Sequence, residues 1–257
     1  MARIRCDFFS EALGMGTSMT VLLPERAAAQ IGLAGSPPAG DPPVLYLLHG
    51  LTDDDTIWTR RTAIERYVAP LGLAVVMPNA GRSFYTDEAH GNRYWRFLTD
   101  ELPRVCHSFF RLSDRREDTF VAGLSMGGYG AVKWALRDPG RFAAAASLSG
   151  ALDVVHRRDH PTHPLDPAVW HTVFGDRPPA EDADTVALVE RAGDDLPALY
   201  LACGTEDFLY EDNRRFVAAA QRRGVPLTVD WSPGDHDWAY WDAKIRDVLA
   251  WLPLKQR

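Results

Sequence analysis

The sequence predicts an α/β fold, a mostly parallel sheet with helices on both faces. Three observations carry this. Short, continuously apolar runs recur along the chain, segments of helical spacing lie between them, and 46% of the 257 residues are apolar against 25% charged. Runs apolar on both faces suit strands buried inside a parallel sheet. Strand and helix in alternation build such a sheet with helices on either side. The apolar content excludes a disordered chain. A chain of this length buries roughly 70–75% of its unfolded surface and needs no disulfide or metal for stability.

Taken in order, Arg3–Phe9 and Thr17–Leu23 read as two extended segments around a Gly-containing turn, an N-terminal antiparallel hairpin. Ala27–Pro43, rich in Ala, Gly and Pro, reads as a surface connection. Val44–Leu48, Leu73–Met77, Thr119–Gly123, Ala143–Leu148, Ala198–Ala202 and Leu227–Trp231 are the buried strands. Helical patterns cover Tyr94–Phe110, interrupted by Pro103, then Gly128–Arg137, Asp212–Arg223 and Trp238–Leu252. Gly224 and Pro226 stop the third of these. The stretch from Ala151 to Leu196 breaks the rhythm. It is long, rich in Pro, His and Asp, and lies between two strands, as a functional connection does. Residues 1–257 are read as one domain with a lid-like insertion at about 151–196.

The net charge is −7, and the 28 Lys and Arg are spread along the chain. No nucleic-acid partner is expected, because phosphate binding needs clustered positive charge. Cys6, Cys106 and Cys203 are too few and scattered for a disulfide framework, which points to a reduced, cytoplasmic setting. The first seven residues carry charge, and no apolar run of signal-peptide length follows. No apolar stretch of about 18 residues exists, so no membrane association is expected.

The sharpest motif is Gly123-Leu124-Ser125-Met126-Gly127, placed after a strand and before a helix. G-x-S-x-G in that context forms a tight turn that lifts a nucleophilic serine above the sheet of an α/β-hydrolase. A serine hydroxyl needs a base. His236 lies after the last strand, at the sheet edge expected to carry Ser125. The acid belongs on the loop after Ala198–Ala202. Asp207 is chosen there to hold His236, with Glu206 and the weaker Asp212 as rivals. Asp235 and Asp237 are too near the histidine in sequence to orient its far ring nitrogen easily. The oxyanion donors are the backbone amides of Met126, after the nucleophile, and Leu51, after Val44–Leu48. His49 reads as a residue that holds its loop.

Several segments then carry a specific resemblance: LYLLHGLTDDDTIW, VVMPNAGRSFYTDEAHGNRYW, ELPRVCHSFFRLSDRREDTFVAGLSMGGYGA, ALYLACGTEDFLYEDNRRF and PGDHDWAYWD. Together they resemble the tributyrin esterase group of the esterase D and S-formylglutathione hydrolase family, which has the α/β-hydrolase fold. The resemblance runs from about Ile4 to Trp251 and is weakest in Ala27–Pro43 and Val154–Asp195. It places the family's nucleophile, acid and base on Ser125, Asp207 and His236, and its oxyanion donors on Leu51 and Met126. It implies a small-molecule ester as substrate, no metal, no organic cofactor, and room for a homo-oligomer. The expected activity is a carboxylesterase for short-chain acyl esters that works through an acyl-enzyme. The alternatives are an S-formylglutathione thioesterase, an acyltransferase, and a hydrolase fold that binds without turnover.

Aromatic residues crowd the loops near this edge: Trp58, Phe84, Tyr85, Tyr94, Trp95, Phe208 and Trp238. Trp58, Tyr85, Phe208 and Trp238 are expected to line an apolar substrate pocket. His156, His160 and His163 have a spacing that metal ligands can show, but Pro161 and Pro164 break the helix that would align them. Asp53, Asp54 and Asp55 read as a solvated loop leading into a helix. Cys203 reads as a buried filler.

Overall fold

The computed structural model describes residues 1–25, 31, 40–161, 163–176 and 178–255. Most of the Ala27–Pro43 connection, 27–30 and 32–39, lies outside the described residues. The strands are β1 (Ala2–Ser10), β2 (Met15–Leu23), β3 (Val44–Leu48), β4 (Ala74–Pro78), β5 (Thr119–Leu124), β6 (Ala144–Leu148), β7 (Ala198–Gly204) and β8 (Thr228–Ser232). They form one sheet in the order β1-β2-β4-β3-β5-β6-β7-β8. β2 pairs antiparallel with β1 and β4, and every pairing from β4 to β8 is parallel. The expected hairpin and the expected mostly parallel sheet are both present.

The sheet separates two apolar layers. Val44, Tyr46 and Leu48 of β3 face one layer, and Leu45 and Leu47 face the other. The helices Leu102–Phe109, Met126–Arg137 and Tyr210–Arg223 cover the first. Ile57–Arg61, Ile64–Val68 and Trp238–Trp251 cover the second. Burial on both faces leaves no position for polar alternation in the central strands. β1, at the sheet edge, does alternate between half-buried and exposed residues.

Pro103 interrupts the helical pattern without ending the helix. Tyr94–Arg96 continues as a π-helical stretch, Phe97–Glu101, into Leu102–Phe109, with Pro103 in the first turn of that last segment. The Leu102 amide reaches back five residues to the Phe97 carbonyl. The wider turn accommodates a residue that can neither donate a hydrogen bond nor tolerate the usual ladder.

The stretch from Ala151 to Leu196 contains short helices at Val154–Arg158, Pro167–Phe174 and Thr185–Glu190. Each is capped by an aspartate, Asp153, Asp166 or Asp184, whose side chain accepts first-turn amides. The Tyr129 hydroxyl donates to the Ala183 carbonyl at 2.5 Å and ties this stretch to the central helix Met126–Arg137.

Lys133 is fully buried in that helix. Its amine lies 3.2 Å from the Phe84 carbonyl, 2.9 Å from the Tyr85 carbonyl and 2.6 Å from Thr86 Oγ1. Phe84 and Tyr85 have φ of 49° and 50°, a conformation that costs a side-chain-bearing residue about 1–3 kcal/mol. Lys133 thus pins a strained turn. Burial holds its amine well below 10.5. Between the lowered and the ordinary value the unfolded chain binds more protons than the folded one. Stability from this site therefore rises with pH across that window and is fully present above 10.5. In Lys133→Met this contribution disappears. Urea unfolding should show the wild type gaining on the variant as pH rises toward 10.5, by at most about 1.4 kcal/mol per pH unit. Parallel pH curves for the two proteins would refute the assignment.

Candidate active site

Chain order reverses around β3, with β4 on one side and β5 on the other. Ligand crevices of open α/β sheets form at such points, beyond the carboxyl ends of the strands. Leu48 of β3 is in register with Gly123 of β5, so the loops that follow leave the sheet side by side. Ser125 sits in the second loop at φ 52° and ψ −118°. Its amide donates to the Leu148 carbonyl at 2.9 Å, and its carbonyl accepts from Tyr129 and Ala151 at 3.1 Å each. A Cβ on Gly123 would stand 2.3 Å from the Gly127 carbonyl oxygen. One on Gly127 would stand 2.4 Å from the Leu48 oxygen and 2.7 Å from the His49 oxygen. The two glycines of G-x-S-x-G are there because backbone meets backbone on both sides of the serine.

The acid and base loops are joined in a similar way. Gly204 at the end of β7 is in register with Ser232 at the end of β8. Thr205 donates to the Ser232 carbonyl at 3.0 Å, Glu206 to the Gly234 carbonyl at 3.1 Å, and the Gly234 amide to Glu206 Oε2 at 2.6 Å. His236 Nδ1 then lies 3.0 and 2.9 Å from the two Asp207 carboxylate oxygens, and its Nε2 lies 3.1 Å from Ser125 Oγ. Asp207 Oδ1 also accepts from the Leu209 amide at 2.7 Å. An ionised carboxylate only accepts, so Nδ1 carries the proton and the Nε2 lone pair faces the serine hydroxyl. The imidazole rests between Phe208, at 4.4 Å between ring centres, and the edge-on Trp241, at 4.8 Å.

The rival acids have other partners. Glu206 clamps Gly234, whose amide holds its carboxyl below the usual range. Asp212 is buried against His156 at 2.8 Å and Arg157 at 3.6 Å, and burial pushes its carboxyl up to about 6. Asp235 accepts from the His236 amide, and Asp237 caps the last helix.

The Leu51 loop is braced from below. His49 is buried, which lowers its pKa and keeps it neutral. Its Nδ1 donates to the Gly50 carbonyl at 2.7 Å, and its Nε2 accepts from the Ala80 amide at 2.9 Å. Tyr85 donates to the His49 carbonyl at 2.9 Å. A Cβ on Gly50 would stand 3.7 Å from Ser125 Cβ, so the Leu51 turn abuts the serine. Among the described residues, neither the Leu51 nor the Met126 amide donates to a protein acceptor.

Two expected pocket residues are elsewhere. Trp58 and Tyr85 are 1% and 0% exposed and offer no surface to a substrate. Trp58 donates to the Leu48 carbonyl at 3.2 Å, and Tyr85 packs beneath Gly130 as well as bracing His49. Phe208 is 39% exposed on the face of His236. Trp238 is half-buried and links Trp58 to Trp241 through edge-on contacts at 5.4 and 5.2 Å. The expected solvated aspartates differ as well. Asp55 is buried and accepts from Ser18 and Thr20 at 2.7 and 2.8 Å, which fastens its loop to β2. Cys203 is buried, as expected of a filler. His156, His160 and His163 form a run of ring contacts that ends on Phe208. The sequence reading missed Trp241 and Lys133. A lone lysine inside the apolar run GAVKWAL was the available signal for the second.

The family model described as putative esterase matches residues 10–252. An acetyl esterase of Caldicellulosiruptor saccharolyticus is 29% identical over 263 residues, covering 98% of each chain. Two solved Staphylococcus aureus proteins are each 35% identical, with 98% of both chains covered. The fluorophosphonate-binding serine hydrolase F (FphF) has a TM-score of 0.87, and the S-formylglutathione hydrolase FrmB has 0.84. With a serine at the turn after β5 and this likeness along its whole length, the chain belongs to the putative esterase family, in its esterase D and S-formylglutathione hydrolase branch.

Proposed function

We propose that the protein is a carboxylesterase for short-chain acyl esters, with Ser125, His236 and Asp207 as its catalytic triad. The observation that carries this reading is the unbroken chain of hydrogen bonds from Asp207 through His236 to Ser125 Oγ, at 2.9 and 3.1 Å. His236 Nε2 takes the serine proton as Oγ attacks the ester carbonyl. The Leu51 and Met126 amides hold the oxyanion, each worth about 3–4 kcal/mol of barrier in comparable sites. The tetrahedral intermediate collapses, His236 gives its proton to the leaving alcohol, and Ser125 is left acylated. Water then repeats the sequence and releases the acid. Asp207 keeps the Nδ1 proton in place and stabilises the imidazolium. Phe208 and Trp238 are the aromatic side chains placed to meet the substrate. The stretch 151–196 reaches Phe208 through His163 and acts as a cover within the one domain. The acetyl esterase relative favours a small acyl group.

A second reading is a thioesterase acting on S-formylglutathione, favoured by the 35% identity to FrmB. It uses the same catalytic parts with a thiolate as leaving group. Parallel rates on oxygen esters and on S-formylglutathione separate the two.

The decisive assay is hydrolysis of p-nitrophenyl esters from acetyl to decanoyl. Acetyl to butyryl esters should turn over fastest. Ser125→Ala should lower kcat by about 10⁶-fold and Asp207→Asn by about 10⁴-fold, the losses seen when such triads are broken. Equal, weak rates in wild type and Ser125→Ala would remove Ser125 as the nucleophile.

A further inference from the structure

We infer that His90, His171 and Asp176 form a binding site for one divalent transition-metal ion of the zinc class. The three lie on two segments far apart in sequence, the loop after β4 and the end of the helix Pro167–Phe174. One ligand atom from each residue falls within 4.8 Å of the other two. His171 Nδ1 and Asp176 Oδ1 are 3.1 Å apart, and the two imidazoles stack at 4.5 Å between centres with 23° between planes. Tetrahedral zinc, with bonds of roughly 2.0–2.2 Å, sets its ligands about 3.3 Å from one another. One edge of the site is already at that spacing. Closing the other edges also turns the exposed imidazoles out of their stack, because two nearly parallel rings cannot both aim a nitrogen lone pair at one ion.

The backbone beneath is fixed. The Ala89 amide donates to the Val173 carbonyl and the His90 amide to the Thr172 carbonyl, each at 3.0 Å. Two carbonyls that a helix end leaves unpaired are thereby used to dock the His90 loop. Gly175, at φ 74°, turns the chain so that Asp176 comes back to His171, and a Cβ there would stand 3.2 Å from Ala89 Cβ. Two imidazoles and one carboxylate select zinc, copper or nickel over magnesium and calcium, which prefer all-oxygen sites. The fourth position is left to water. Among the described residues no other group of His, Cys, Asp and Glu side chains converges in this way. The ion takes no part in ester hydrolysis. It cross-links the stretch 151–196 to the loop after β4, the loop whose Phe84–Tyr85 turn braces His49.

The test uses the full chain, free of any histidine tag, stripped with a chelator and desalted. Zinc binding is measured by competition with a chromophoric chelator, and thermal unfolding is followed with and without zinc. One equivalent should bind, and saturating zinc should raise Tm by about 5–10 °C at a hundredfold excess over Kd. Cobalt(II) should give the intense visible bands of a tetrahedral site. His90→Ala and His171→Ala should weaken binding at least tenfold and lose the Tm shift. His107→Ala, at a histidine outside the cluster, should retain both. All three ligands are exposed, so the zinc-free variants should unfold at the wild-type Tm. Failure to bind zinc at millimolar concentration, or unchanged binding in both variants, would overturn the site. Neither result touches the ester assay.

Discussion

The end of β3 and the first turn of the helix Met126–Arg137 approach until no side chain fits between them. A Cβ on Gly127 would sit inside contact distance of two consecutive carbonyl oxygens, those of Leu48 and His49, and one on Gly123 would strike Gly127 itself. Ser125 takes a positive φ of 52° with ψ −118° at this approach, and the turn raises its hydroxyl above the sheet. The same approach sets the Leu51 turn against the serine, since a Cβ on Gly50 would stand 3.7 Å from Ser125 Cβ. One steric constraint therefore sets the serine turn and, on the proposed reading, the position of the attacking atom. The order of strands makes it available, because β3 and β5 are neighbours only where the chain reverses direction across the sheet.

Such an edge works only if the loops do not drift. On the β3 side the brace is a network of buried polar groups: His49 to Ala80, Tyr85 to His49, and Lys133 to the turn that carries Tyr85. Each group is buried and each has partners, so the network rigidifies the loop rather than weakening the core. Apolar packing resists displacement less directionally than this. A loop amide aimed at a developing oxyanion needs direction as well as density. On the β7 and β8 side the brace is two backbone bonds from the Thr205 and Glu206 amides to the Ser232 and Gly234 carbonyls, returned by the Gly234 amide to the Glu206 carboxylate.

Ser125, His236 and Asp207 were legible because each sits just beyond a strand, and strand ends can be read from short apolar runs. The strands were legible for the same reason, to within a residue or two at most ends. The pocket wall was less so. Counting aromatics near strand ends finds Trp58 and Tyr85 as readily as Phe208. Composition does not say which ring lies under the loop and which lies over it, and burial alone decides that. The short helices of 151–196 escaped because each is too brief to show a periodicity. Their signal was the capping aspartate. Asp55 misled because three consecutive aspartates look solvated, whereas two hydroxyls on β2 draw one of them inside. Pairings such as His90 with His171 depend on docking between segments that sequence alone does not bring together.

In the proposed relay His236 carries a positive charge twice per turnover, and its surroundings suit a transient cation. Asp207 neutralises it along the Nδ1 side, while Phe208 and Trp241 pack against the ring and cover most of it from water. Phe208 is itself supported. The Arg157 guanidinium lies 5.2 Å from its ring centre and His163 packs at 5.3 Å, both from the stretch 151–196. Arg157 is a permanent cation close to where the imidazolium forms, and buried Asp212 at 3.6 Å offsets it. Phe208 thus serves two ends at once, as the exposed aromatic surface nearest the base and as the wall that fixes the orientation of the base. In that relay, substrate contact and proton transfer would share one support. On the proposed reading, a change in 151–196 that shifts Phe208 acts on substrate contact and on the orientation of the base together, because one ring supports both.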